Sequence, residues 1–228
     1  MKSRVLPISI VIPAKNEGEG IKEIIRSVKP YAKDIIVVDA NSKDGTREIA
    51  QSENVRFYTD NGKGRGSGVI LGIKKSLHSI IVLVDADGSH NTGDIPILVS
   101  YLKVANSDMV IASRRTGGST DMQLNINGLL RSLGSDILTM LLNYRFKTNY
   151  TDILYSFRVL KKEKFHKAKI HSQDFAIEQD MLIAFLKKGY KVVEIPSRES
   201  ARKWGKSKLR TITGIKLLIQ LMYSLYKE

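Results

Sequence analysis

The sequence predicts an α/β fold with a mostly parallel central sheet flanked by helices, and three observations carry that expectation. Short apolar runs rich in Val and Ile alternate with stretches of helical period through the first half of the chain. The runs stop at Pro13, Asp39 and Asp85, residues that end strands or carry carboxylates. Turn-forming stretches such as Asn41-Ser42-Lys43-Asp44-Gly45 separate the runs from the helices that follow. Strand-helix units of this kind join by right-handed crossovers, and ligands bind beyond the carboxyl ends of the strands, where Pro13, Asp39 and Asp85 fall.

Taken in order, Val5 to Ile12 reads as a strand, and Glu17 to Tyr31 as a helix with Ile21, Ile24, Ile25 and Val28 on one face. Ile35 to Val38 is a second strand, followed by a short helix through Gln51, and Val55 to Thr59 is a third. The glycine-rich segment Gly62 to Gly68 precedes a helix over Val69 to Leu77, and Ile80 opens the next strand. A helix over Asp94 to Val104 and a strand over Met109 to Ser113 close the regular alternation. Beyond them come an amphipathic helix over Leu124 to Leu142, a strand over Ser156 to Leu160, a helix over Phe175 to Lys188 and a strand over Val192 to Ile195. Ser197 to Lys208 reads as a mobile loop. The last helix, Leu209 to Tyr226, is too short in uninterrupted apolar content to span a bilayer, so it either packs on the sheet or lies in a membrane interface.

Composition narrows the partners. The 228 residues suit a single domain, divided by pattern into a half over 1–115 and a half over 116–228. With no cysteine, disulfides and thiolate metal sites are excluded, and without a basic-then-apolar leader after Met1 a cytoplasmic setting is expected. Of the +14 formal charge, residues 158–228 carry +10, with 17 Lys and Arg against 7 Asp and Glu. That excess suits nucleic acid, an anionic membrane surface or a phosphorylated substrate, and charge alone does not choose among them. No interleaving of aromatic and basic residues supports nucleic-acid binding.

The stretch from Ile80 to His90 ends an apolar strand in Asp85-Ala86-Asp87. Residues at i and i+2 of an extended chain point to one side, so both carboxylates can face one divalent cation. Magnesium and manganese take one or two protein carboxylates and complete their shell with water and phosphate. The alternative is an Asp-Gly turn with solvated carboxylates. His90 either lies near that cation or caps the next helix.

The chain resembles the inverting family 2 glycosyltransferases of the GT-A fold, a Rossmann-like sheet, and within them the dolichyl-phosphate and polyprenyl-phosphate mannosyltransferase group. The resemblance rests on Val11-Ile12-Pro13-Ala14-Lys15-Asn16-Glu17, Val37-Val38-Asp39, Ser42 to Thr46, Gly62-Lys63-Gly64, Asp85 to His90, Ser113-Arg114 with Gly117-Gly118, and Arg202 to Lys208. It implies an α/β GT-A fold whose amphipathic helices in the 116–228 half serve the acceptor. It also implies that Pro13, Glu17 and Asp39 contact the nucleoside, that Lys63 approaches the donor, and that Asp85 and Asp87 hold Mg2+ or Mn2+. Arg202, Ser207 and Lys208 would meet the diphosphate from a closing loop. Arg114 or Arg115, then Arg131 and Ser135 one turn apart, would bind an acceptor phosphate.

Two departures stand out. Ala40 replaces an acidic residue that usually follows Asp39, and Tyr155-Ser156 replaces a Ser-Gly pair after Asp152. Asp152 is kept as a residue that positions sugar or acceptor. The expected activity is hexose transfer, mannose from GDP-mannose, to a polyprenyl or dolichyl phosphate. The alternatives are UDP-glucose as donor, a soluble or polysaccharide acceptor, and nucleotide-sugar binding without transfer. A lipid acceptor implies peripheral attachment to the cytoplasmic face of a membrane, through the amphipathic helices or through a membrane-protein partner.

Overall fold

In a computed structural model, the residues described are 5–60, 62, 64–120, 126–204 and 211–226, with the backbone alone over 126–131 and 211–215. The strands are β1 (Leu6–Ala14), β2 (Ala32–Asp39), β3 (Arg56–Thr59), β4 (Ile80–Leu83), β5 (Met109–Ser113), β6 (Arg158–Lys161) and β7 (Val192–Pro196). The helices are α1 (Ile21–Val28), α2 (Thr46–Ser52), α3 (Arg65–Lys75), α4 (Ile95–Val104), α5 (Arg114–Gly117), α6 (Ile126–Phe146), α7 (Lys162–Ala168), α8 (Ile177–Lys187) and α9 (Thr211–Tyr226). One sheet runs β3-β2-β1-β4-β6-β5-β7. Its pairings are parallel except at β6, which runs antiparallel to both neighbours. That strand follows a segment already at the carboxyl end of the parallel strands, so it can only run back.

The alternation of β1 divides the core. Ile8, Ile10 and Ile12 face the side covered by α1 and α4, and Val11 faces the side covered by α3, α6, α8 and α9. Ile21, Ile24, Ile25 and Val28 are all buried, which fixes the rotation of α1. Helix α3 begins four residues earlier than its periodicity predicts. Gly64 and Gly66 let the chain press on residues 172–174, where a Cβ on Gly66 would stand 2.2 Å from the Ser172 carbonyl oxygen. The Gly66 and Ser67 amides donate to the carbonyls of Asp174 and Gln173.

Helix α9 buries Leu217, Leu221 and Leu225 against α6 and α8, so it packs on the body of the protein. Among the described residues, no helix is long and apolar enough to cross a membrane.

Candidate active site

Register places Asp39 opposite Ala14, and Val11 opposite Leu83, so Pro13, Asp39 and Asp85 meet at the carboxyl edge of three adjacent strands. Asp85 is gripped from three directions. Arg65 donates to its Oδ1 at 2.5 Å, Ser156 donates to its Oδ2 at 2.6 Å, and His90 Nε2 lies 3.6 Å from Oδ2. Burial alone would raise the Asp85 pKa, but the Arg65 charge and these hydrogen bonds outweigh it and hold the carboxyl well below its usual range. Arg65 also donates to Glu178 at 2.7 Å, and the two carboxylates raise its pKa against the effect of burial.

His90 is a buried neutral imidazole. Burial lowers its pKa, and its Nδ1 accepts the Asp85 amide, which leaves Nε2 to carry the proton beside Ser156. Its ring stacks on Phe157 at 4.8 Å. It does not cap the next helical turn; Asn91 does, accepting from the Gly93 amide.

Asp87 faces different partners. Its Oδ1 accepts from the Ser89 amide and hydroxyl, and its Oδ2 lies 2.9 Å from the Arg202 guanidinium. The donor set is two hard carboxylates, and among the described residues no group of three His, Cys, Asp or Glu could hold a metal. Such a pair fits Mg2+ or Mn2+ completed by water and phosphate, and does not fit a closed zinc site.

At the β1–β2 edge, Glu17 is buried and its amide donates to Thr46 Oγ1. Asp39 accepts the Ser42 amide at 2.9 Å and the Ser42 hydroxyl, so it also braces its own loop. Lys63 lies outside the described residues. The close approach permitted by Gly64 and Gly66 is to the chain's own 172–174 segment.

On the other side, Arg114 holds Asp152 through Nε at 2.6 Å and Nη2 at 3.0 Å, reaches Glu199 at 3.3 Å, and lies over the Tyr155 ring. Asp152 is 1% exposed, and both of its oxygens accept from Arg114, which favours a positioning role over that of a base. Arg115 bonds Asp136 and Ser132 on α6. Ser135 lies on α6 and is half-buried; the side chain of Arg131 lies outside the described residues. Arg158, fully buried, donates to the carbonyls of Ile153, Tyr155 and Glu178 and so fixes the 152–157 segment; burial lowers its pKa to about 10.

Residues 197–204 cross this edge. The Ser200 amide donates to the Ser89 carbonyl, the Lys203 amide to the Asp87 carbonyl, and Trp204 Nε1 to the Ala86 carbonyl at 2.8 Å. Glu199 bridges to both His90 and Ser119. Ser207 and Lys208 lie outside the described residues.

The sequence matches the family described as glycosyl transferase family 2 over residues 9–168. The chain belongs to glycosyl transferase family 2. It is 30% identical over 223 residues to an uncharacterized protein of Methanocaldococcus jannaschii, covering 94% of this chain and 90% of that one. It is 26% identical to the glycosyltransferase AglJ of Haloferax volcanii, over 83% of this chain and 62% of that one. Among solved structures it is similar to glucosyl-3-phosphoglycerate synthase from Mycobacterium tuberculosis in complex with Mn2+, uridine diphosphate and phosphoglyceric acid. That likeness has a TM-score of 0.75 and 16% identity, covering 96% of this chain and 78% of that one.

The protein is therefore a glycosyltransferase that uses a nucleotide sugar, on the GT-A fold. Sequence reasoning missed Arg65, Glu178, Ser156, Glu199 and Trp204 as parts of this family 2 site. An arginine between glycines and the sole tryptophan beside a basic loop were the available signals.

Proposed function

We propose that this glycosyltransferase transfers a hexose from a nucleotide sugar to a polyprenyl phosphate at a membrane surface. The observation that carries the lipid acceptor is a second apolar face on the two packed helices α6 and α9. Leu133, Ile137, Met140 and Tyr144 on α6, and Ile219, Met222, Tyr223 and Tyr226 on α9, are exposed on the sides turned away from the core. Three tyrosines among aliphatic side chains, flanked in sequence by Arg145, Lys147, Lys206, Lys208, Arg210 and Lys227, suit the boundary of an anionic bilayer. Helix α6 also carries Arg131 and Ser135, the proposed acceptor-phosphate contacts with Arg114 and Arg115.

The donor we propose is GDP-mannose. UDP-glucose is the second reading, favoured by the M. tuberculosis synthase, a structural neighbour solved with Mn2+ and UDP-glucose. Pro13, Glu17 and Asp39 would hold the nucleoside, with Lys63, Arg202 and Lys208 toward the diphosphate. Asp85 and Asp87 would hold Mg2+ or Mn2+, which when bound neutralises charge developing on the departing nucleoside diphosphate. A lipid phosphate is ionised near neutral pH, so the chain need only orient it. Asp152 fixed by Arg114, with Arg131 and Ser135, would supply that orientation without a strong base.

The test is incubation with radiolabelled GDP-mannose or UDP-glucose and a polyprenyl phosphate, followed by butanol partition. Label in butanol supports the lipid acceptor, and the productive donor decides the sugar. Label transferred only to water-soluble acceptors rejects the lipid reading, and no transfer from either donor rejects the activity. Arg131→Ala should weaken lipid phosphate far more than donor; equal losses would contradict the division of roles.

A further inference from the structure

We propose that the adjacent residues Tyr155 and Ser156 are positioning residues, one for Arg114 and one for Asp85, and that the pair holds these two charged groups at a fixed separation across the site. The assignment of Arg114 to the acceptor and Asp85 to the donor rests on the function proposed above. Tyr155 is 2% exposed, and its ring centroid lies 4.7 Å from the Arg114 guanidinium carbon. Ser156 donates to Asp85 Oδ2 at 2.6 Å. His90 stands between the two, its ring steeply inclined to that of Tyr155 with centroids 4.9 Å apart, and its Nε2 3.2 Å from the Ser156 hydroxyl. Arg158 anchors the pair by donating from Nε to the Tyr155 carbonyl at 2.9 Å.

Carboxylates hold Arg114 only by its rim. Nε and Nη2 donate to Asp152 and Nη1 to Glu199, along bonds that lie in the plane of the guanidinium. Such contacts leave the faces of the group open, and a long side chain keeps rotamers that swing out of that plane. The Tyr155 ring closes one face, and the attraction between cation and ring is strongest where water is excluded. The Tyr155 hydroxyl has no hydrogen-bond partner among the described residues, so the ring carries this role. Asp85 is held differently. Arg65 donates to Oδ1 and Ser156 to Oδ2, so the carboxylate is fixed from two sides. A Ser-Gly pair, which the family pattern has at these positions, offers no ring at the first and no hydroxyl at the second. Tyr155-Ser156 supplies both contacts in one departure.

Three measurements test the pair. The Arg114 Nε proton, assigned in nitrogen-15 spectra by its loss in Arg114→Lys, reports the hold on the guanidinium without any substrate. It should exchange slowly with water in the wild type and in Tyr155→Phe, which keeps the ring, and about fivefold faster in Tyr155→Leu. Tyr155→Met, which fills more of the same space, repeats the comparison should Tyr155→Leu fail to fold. Calorimetric titration with GDP and with UDP, each with Mn2+, reads the donor side. Ser156→Ala should bind about tenfold more weakly, and Tyr155→Leu as the wild type does. Initial rates with a polyprenyl phosphate read the acceptor side. Tyr155→Leu should raise the acceptor KM about fivefold, Tyr155→Phe should rescue it, and Ser156→Ala should not shift it.

Equal proton exchange in the wild type and a folded Tyr155→Leu overturns the hold on Arg114. Equal losses in Tyr155→Phe and Tyr155→Leu shift the effect to the hydroxyl and overturn the role of the ring. Unchanged nucleotide affinity in Ser156→Ala overturns the hold on Asp85. Weaker donor and weaker acceptor together in each variant would mean that both residues merely support the fold, which overturns the pairing of one residue with one side. Proton exchange needs neither substrate, so it separates the failures. A wild type that binds neither nucleotide, or transfers to no polyprenyl phosphate, rejects the functional reading, and the spectra still decide the hold on Arg114.

Discussion

Replacing Arg65 with methionine tests the electrostatic centre of the site. The guanidinium bridges Asp85 at 2.5 Å and Glu178 at 2.7 Å, and the three side chains are 17%, 21% and 5% exposed. Methionine preserves most of the volume and removes the charge, leaving two carboxylates in a poorly solvated place. Removing one partner of a buried pair costs about 3–5 kcal/mol. Asp85 keeps its Ser156 hydrogen bond and some access to water, so the lower end applies, about 3 kcal/mol. For a chain of this length that corresponds to a fall in Tm of about 6–12 °C. Urea denaturation at pH 7 followed by far-ultraviolet circular dichroism measures it.

The loss should narrow in acid. A carboxyl whose folded pKa is depressed stabilises fully above its ordinary value of 3.8 and loses that contribution as pH falls toward the folded value. The wild type loses stability there, and Arg65→Met has already lost it. Arg65→Lys, with a charge but no fork to span both carboxylates, should fall between the two. A loss below about 1 kcal/mol for Arg65→Met would refute the reasoning, because it would mean that the pair is worth no more than an exposed one.

Other perturbations have equally definite outcomes. His90 is held neutral below its ordinary pKa of 6.5, so the unfolded chain takes up a proton that the fold refuses, and stability should decline as pH drops below 6.5. His90→Gln should flatten that part of the profile, and an unchanged slope would place its origin elsewhere. Gly72→Ala would put a Cβ 2.3 Å from Val11 Cγ1, forcing α3 off the sheet at about 1–3 kcal/mol, read from the denaturation midpoint. Asp85→Asn with Asp87→Asn should abolish metal-dependent nucleotide binding in calorimetry; normal binding would dismiss both carboxylates as ligands. Ile137→Ser with Met140→Ser should leave the fold intact and reduce sedimentation with phosphatidylserine vesicles. Wild-type protein that ignores such vesicles would contradict the membrane reading.

Much of the first half was legible because strand and helix periods are local. Ile21, Ile24, Ile25 and Val28 declare one buried face whatever lies opposite, and the structure buries all four. Asp85 was legible as a residue just past a strand end, but the extended chain expected through Asp87 gives way to a turn at Ala86 and Asp87, and the two carboxylates meet different partners. Helix α7 was not legible, since Lys162 to Ala168 is dominated by charge and is held by what Phe165 meets. Nor was the direction of β6, which depends on where the preceding segment leaves the chain.

By itself, then, the sequence determined the α/β alternation, the carboxyl-edge position of Pro13, Asp39 and Asp85, and the kinship carried by its motifs. Only the tertiary structure decided which charges meet. Arg65 and Glu178 are 113 residues apart, and Arg202 and Asp87 are 115 apart. No period along the chain records such pairs. They form because the sheet brings the edges of β1, β4 and β6 together and because Gly20, Gly64, Gly66 and Gly88 leave room for distant segments to press in. Once burial removes water, each carboxylate takes the cation that the fold places beside it.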